Sequence, residues 1–225
     1  MVVRLIVQTL VWFGGMGVLL FLSAGTLNWP GAWIFLAEMV GLSLVAGLLL
    51  ARHDPALLKE RLSPLVQKDQ VAADKVLMSL ILLLIGVWLV FMALDAVRFG
   101  WSSVPAWAQA LGALSILLSV CIGYRTMREN SFAAPVVKIQ MDRGQMVITT
   151  GPYSYVRHPM YFGGLFFFIG TPLLLGSWWG LAFALVITVL LCIRIPIEEK
   201  ALRAGLEGYD DYAARVRYRL IPLIW

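Results

Sequence analysis

Four stretches of the chain carry no charged side chain: Leu5 to Ala37, Val76 to Leu94, Phe99 to Tyr124 and Pro159 to Ile193. A helix that crosses a bilayer takes about 20 consecutive, mostly apolar residues. The two middle runs suit one crossing each. The first and last are too long for one, and both contain turn residues. "SAGTLNWPG" breaks the first with Gly25, Asn28, Pro30 and Gly31. "GSWWG", residues 176 to 180, breaks the last with two glycines and the pair Trp178 and Trp179, which suits a turn held at a membrane surface. The pattern predicts six spans, at about 5–23, 31–51, 76–95, 104–124, 159–175 and 178–194. The expected fold class is therefore all-α, a polytopic helical membrane protein in one domain, 1–225. Within it, 1–125 reads as a four-span bundle and 126–225 as a separate functional region. The first run lacks a small-residue cleavage site and leads into a second span, so it is expected to be a span and not a signal peptide.

Charge orients the spans. The chain has 18 Lys and Arg against 13 Asp and Glu, a net charge of +5. Residues 52–75 hold five of the basic residues, 125–158 five and 194–225 six, whereas the loop 96–103 has only Arg98. The positive-inside rule puts the three rich segments, and the N-terminus with Arg4, in the cytoplasm. An even number of spans agrees. All three then face each other on one side of the membrane, where a site is expected. The basic excess thus reads as topology, and no nucleic-acid partner is expected. Cys121 and Cys192 lie inside predicted spans and no Cys/His group has zinc spacing, so neither a disulfide nor a metal is expected.

Shorter features follow. "DPALLKERL", 54–62, reads as a surface helix capped by Asp54 with Pro55 at its first position, and Leu57, Leu58 and Leu62 are expected at the lipid interface. Residues 197–217 read as one amphipathic helix with Leu202 and Leu206 on a face. Glu38 is alone in mid-span, and is expected to be neutral and bonded to a neighbouring helix, with the lining of an acceptor cavity as the alternative. Gly14, Gly15 and Gly17 read as a close helix-packing face.

Two stretches carry candidate chemistry. In "GPYSYVRHPMYFGG", 151–164, Gly151 and Pro152 make a turn that brings Tyr153 and Tyr155 close. Pro159 suits the first turn of a span. His158, before it, is pushed out of helical geometry and so sits at a helix mouth beside the cation Arg157. Exposed amides at a helix start attract anions. In "RIPIEEKAL", 194–202, Arg194 and Glu198 are four apart and share a helix face, and Pro196 is expected to kink the helix. A basic aromatic anchor and a solvated acidic face remain the plain alternatives.

Taken together, "SFAAPVVKIQMDRGQMVITTGPYSYVRHPMY", a two-span hairpin, "EEKAL" and "YDDY" resemble the isoprenylcysteine carboxyl methyltransferase and phospholipid methyltransferase superfamily of membrane enzymes. The resemblance covers residues 131 to 212. It implies methyl transfer from S-adenosylmethionine, held in a cytosol-facing pocket built from the C-terminal half, to a lipophilic small-molecule or lipid acceptor. Its carried-over cofactor binders are Gln140, Gln145, Met146, Val147, Ile148, Tyr153, His158, Pro159, Met160, Tyr161 and Glu198. Arg194 takes the position that holds a carboxylate substrate in the carboxyl methyltransferase branch. This chain has "LEGY" at 206–209 where the family has a Phe-Gly pair. The helix register after Leu202 is therefore open, and Glu199 shares the candidacy of Glu198. The acceptor itself is not legible: a carboxylate is favoured, with a lipid amine or a thiol as alternatives. A membrane-embedded nicotinamide-dependent reductase of sterol-reductase type is the competing enzyme class. A transporter ranks behind both, because no internal repeat or paired polar mid-span positions are present.

Overall fold

The computed structural model describes residues 1–225. Its elements are α1 (Val2–Ala24), α2 (Pro30–His53), α3 (Pro55–Arg61), α4 (Ala72–Ala93), α5 (Ala106–Glu129), α6 (Pro159–Leu175), α7 (Trp178–Gly205) and α8 (Tyr209–Arg215), with a π turn at Leu94–Arg98 prolonging α4. The chain is a polytopic helical membrane protein. α1, α2, α4, α5 and α7 are long and apolar enough to cross a bilayer, and α6 is a shorter apolar helix of 17 residues. These are the six segments that the uncharged runs predict.

Local chemistry sets the boundaries. Pro30, Pro55 and Pro159 open α2, α3 and α6, where a missing N–H leaves no bond unmade. Gly25 and Gly176 close α1 and α6 in the left-handed conformation, with φ of 74° and 86°. Gly208, at φ 79°, ends the prospect of one helix over 197–217. α7 stops at Gly205, and α8 starts at Tyr209. Pro196 does not interrupt α7, which continues nine residues past it.

The centre of the bundle is apolar. Trp88 is fully buried against Phe167 and Phe168, and its indole N–H donates to Gly180 O at 2.8 Å. Phe35, Met92, Ile116, Leu175 and Ile187 complete this core. Small residues let α5 and α6 touch at backbone distance. A Cβ on Gly112 would stand 2.5 Å from Leu174 N, and one on Gly170 would stand 2.6 Å from Gly112 O. Such approach is how membrane helices gain packing without a hydrophobic driving force. The glycines expected to do this in α1 mostly do not: Gly14 and Gly15 face open space, and only Gly17 meets Leu36.

The two ends of the bundle are tied differently. At the end with few charges, Asp95 is buried and accepts from Ser102 Oγ at 2.7 Å and Ser177 Oγ at 2.5 Å. At the other end the charged segments gather. Asp54 caps α3 by accepting from Leu57 N at 2.9 Å. Leu57 and Leu58 face Leu5 and Leu50 in the protein interior, not lipid. α3 is thus seated on the bundle. Glu38 forms no hydrogen bond, and its Oε2 is buried without a partner.

Candidate functional site

The 130–158 segment between α5 and α6 has almost no regular structure. A loop of this length inside a packed protein is usually functional, and it must satisfy its backbone by specific contacts. Val71 N donates to Val137 O at 3.0 Å. Val137 N donates to Asp74 at 2.9 Å, and Lys138 pairs with Glu60 at 2.6 Å. Gln140 is buried inside the loop. Its side chain donates to Phe132 O at 2.9 Å and accepts from Arg143 at 2.6 Å, while its own N–H donates to Gln145 Oε1 at 2.7 Å.

The loop leads into the start of α6. His158 has φ −123° and ψ 62°, the non-helical geometry imposed by the proline after it. Arg157 pins the end of the chain. Its N–H donates to Tyr218 O at 2.9 Å and that of His158 to Arg219 O at 2.8 Å. Its guanidinium reaches Val216 O at 2.7 Å and Arg217 O at 2.9 Å. The same guanidinium donates to Glu199 at 2.7 Å, which also receives Arg219 at 3.1 Å and lies 3.3 Å from His158 Nε2. Glu199 is buried among these groups.

Glu198 is one residue earlier and about 100° away around α7. It points elsewhere, accepting from Tyr161 Oη at 2.6 Å with its side chain 28% exposed. One turn before it, Arg194 holds the fully buried Asp74 of α4 through two bonds, Nε at 2.6 Å and Nη2 at 3.2 Å. Its Nη2 also donates to Pro135 O at 3.0 Å. Its Nη1 forms no hydrogen bond, and the guanidinium lies 5.7 Å over the Tyr161 ring.

These groups wall a cavity of about 310 Å³, within the range of about 300–1,000 Å³ usual for small-molecule sites. Of the expected site residues, Gln145, Met146, Val147, Ile148, Tyr153, His158, Pro159, Met160, Tyr161, Arg194 and Glu198 line it. Gln140 and Glu199 do not. Nor does Glu38, so neither role expected for it is seen. Asn130 and Arg61, which the sequence did not mark as site residues, also line the cavity, as do Tyr209 and Tyr212, the two tyrosines of "YDDY" in α8. Asn130 donates to Tyr153 Oη at 2.8 Å. Burial pushes the Tyr153 hydroxyl well above the usual phenol range, so it stays neutral. The wall thus offers one carboxylate, aromatic faces, apolar surface and the three guanidiniums of Arg61, Arg157 and Arg194. That set can hold a flat, apolar group and a cation at once.

Comparison with known proteins points the same way. The model of a family described as phospholipid methyltransferase matches residues 107–206, from α5 through α7. The protein-S-isoprenylcysteine O-methyltransferase of Schizosaccharomyces pombe is 35% identical over 91 residues, 40% of this chain and 38% of that protein. The corresponding Saccharomyces cerevisiae protein is 32% identical over 130 residues, 56% of this chain and 54% of that protein. The methanethiol S-methyltransferase of Crocosphaera subtropica is 41% identical over 73 residues, 32% of this chain and 28% of that protein. The chain therefore spans between about a quarter and about half the length of these relatives. α1 and the helices through α4 lie outside the family match, although Asp74 and Arg61 come from them. Over residues 107–206 the chain is thus similar to the phospholipid methyltransferase family, and its C-terminal half to protein-S-isoprenylcysteine O-methyltransferases.

Proposed function

We propose that this protein is a membrane methyltransferase that moves the methyl group of S-adenosylmethionine to a lipophilic acceptor, with a carboxylate favoured. The observation that carries the reading is the cavity wall, where Glu198, Tyr161, Tyr153 and the 145–148 strip face one space beside the spans. A sulfonium donor with an amino-acid tail and an adenine ring fits this set. Glu198 offers the only carboxylate in the lining, suited to the positive charge of the tail. The tyrosine rings can face a cation, for about 0.5–2 kcal/mol each. Val147, Ile148, Leu202 and Leu206 provide apolar surface for a flat ring.

When bound, the donor supplies an electrophilic methyl group that needs little acid–base help if the acceptor is already an anion. The work left to the chain is orientation and exclusion of water. Orientation alone can lower a barrier by about 7–11 kcal/mol. The Tyr161–Glu198 bond fixes one wall, and the Arg194–Asp74 pair fixes the other. Leu191 and Gly164 carry the lining down between α6 and α7, toward the side from which an apolar acceptor would come. Incubating the purified protein with methyl-labelled donor and fractionated membrane lipids tests the reading. Label entering a lipid fraction supports it, and no transfer to any fraction removes it.

The charged end is assigned to the cytoplasm by its basic loops. Reporter fusions after residue 140 and at the C-terminus should both report from the cytoplasm, and reporters near residues 28 and 178 from the opposite side. Residue 140 and the C-terminus on opposite faces would dismantle the site, since Arg157 and Glu199 must meet there.

Arg194 bears on the acceptor. Its Nε/Nη2 edge is committed to Asp74, so an acid would meet Nη1. Arg194→Lys retains a charge for Asp74 but loses that second arm. With an N-acetylated S-prenylcysteine as acceptor, turnover is expected to fall by about 30–150-fold, on the order of 2–3 kcal/mol, at near-normal donor affinity. Unchanged turnover on that acid would remove Arg194 from acceptor binding. The occupied edge also favours a second reading, a thiol acceptor, which needs no anion grip. There the lysine variant should work nearly as well as the parent.

A further inference from the structure

Arg61 is a cation without a counter-ion in the wall of this cavity. It is the last residue of α3, outside the stretch matched by the family. Its position is not accidental slack in a surface connector. α3 is capped by Asp54, opened by Pro55 and anchored through Leu57 and Leu58, which are 0% and 2% exposed. That anchoring carries the guanidinium over the 130–158 segment, where Nη1 donates to Ala133 O at 3.2 Å.

This is the only hydrogen bond of the Arg61 side chain, which leaves most of its five N–H donors free. No carboxylate lies within ion-pair distance of it. The acid next to it in sequence, Glu60, is taken by Lys138 at 2.6 Å. The other lysine and arginines that line the cavity are matched: Arg194 by Asp74, Arg157 by Glu199 and Lys138 by Glu60. Burial and the neighbouring Arg194 charge both pull the Arg61 pKa down, yet a guanidinium remains protonated in proteins. A partly buried charge of this kind is costly unless something pairs with it.

We propose that Arg61 is an anion-binding residue of the cavity, taking a carboxylate brought by one of the two reactants. The inference deepens the methyltransferase reading and rests on it. The donor is the favoured source. An α-amino-acid tail carries an ammonium and a carboxylate on one carbon, and the wall offers a matching pair of opposite charges in Glu198 and Arg61. Both act electrostatically on Tyr153, Glu198 raising and Arg61 lowering its pKa, which puts them around the same part of the site. A guanidinium is the side chain best shaped for a carboxylate, through two parallel bonds.

The test compares two donors on the full-length protein in lipid nanodiscs, S-adenosylmethionine and its decarboxylated analogue. Both are titrated against the parent, Arg61→Gln and Arg61→Lys by calorimetry. Loss of one charge-assisted contact should weaken S-adenosylmethionine in Arg61→Gln by about tenfold or more. Affinity for the decarboxylated analogue should stay at the parental value, and Arg61→Lys should fall between. If both donor affinities are parental but KM for an N-acetylated S-prenylcysteine rises about tenfold or more, the carboxylate is the acceptor's, and Arg61 is still its binder. An equal loss for both donors overturns the proposal, because that is what a purely structural arginine would give. So does a variant that matches the parent for both donors and the acid. A parent protein that binds neither donor overturns the methyltransferase reading and takes the Arg61 assignment with it, an outcome distinct from failure of the variants alone.

Discussion

Asp74→Ala is expected to destabilise the protein by about 3–5 kcal/mol, the cost of stranding one member of a buried ion pair. Asp74 is fully buried, and its two oxygens receive Arg194 Nε, Arg194 Nη2, Gln70 Nε2 and Val137 N. Removing the carboxylate leaves a guanidinium that is 8% exposed without its partner. It also frees the loop strand at Val137, which is part of the cavity wall. Melting temperature in detergent and turnover on the same preparation measure both losses. The double variant Asp74→Leu/Arg194→Met separates them. Apolar replacement of a buried pair is often neutral or stabilising, so stability should return while activity on an acid acceptor does not. Wild-type melting of the single variant would show that the pair is not a structural link between the two halves of the chain.

The second large effect sets two adjacent glutamates against each other. Glu199→Gln should cost about 3 kcal/mol or more, because Arg157 is buried with Glu199 as its only carboxylate. The chain end held by Arg157 should loosen with it, so proteolysis after Val216 should accelerate. Glu198→Gln should leave melting within about 1 kcal/mol of the parent, since an amide oxygen can still accept from Tyr161. Its donor affinity should fall by about 10–100-fold, the loss of a charged contact. Melting and donor titration on both variants decide the matter. A Glu199→Gln protein that melts normally yet has lost donor binding would reverse the two roles.

Which parts of this molecule could be read in advance follows from the range of the physics involved. The spans were legible because a charge in hydrocarbon is costly wherever it falls, and the hairpin at Ser177 because glycine and tryptophan mark turns locally. The cap at Asp54 and the conformation of His158 are equally local. Side-chain partners were not legible. Asp74 reads as an ordinary acid in the first turn of a helix, and its partner is 120 residues away. Glu198 and Glu199 have the same chemistry, and only the rotation of α7 against α6 separates a cavity wall from a buried clasp. Leu57 and Leu58 illustrate a different ambiguity. Apolar residues on a short helix suit lipid and protein alike, and their contact with Leu5 and Leu50 depends on how α1 and α2 pack. The role of Arg61 is not legible for the same reason, since it comes from where that helix docks. The single helix expected over 197–217 failed locally, at Gly208, whose positive φ was not anticipated.

The length of α6 has a consequence for the lipid around the protein. Seventeen residues rise about 26 Å, against a hydrocarbon thickness of about 30 Å. Tilting only shortens that reach, so the mismatch must be met by a locally thinner leaflet or by sinking of the helix ends below the headgroups. Where that adjustment falls at the start of the helix, Pro159 and His158 lie level with the outermost methylenes and not above the surface. A long-chain substrate can then present its polar end to Tyr161 while its tail stays dissolved in the leaflet. Extraction into water would otherwise cost about 0.8 kcal/mol for each methylene exposed. On the methyltransferase reading proposed above, the short helix would bring the site down to the lipid, so that a lipophilic acceptor could enter sideways from the leaflet.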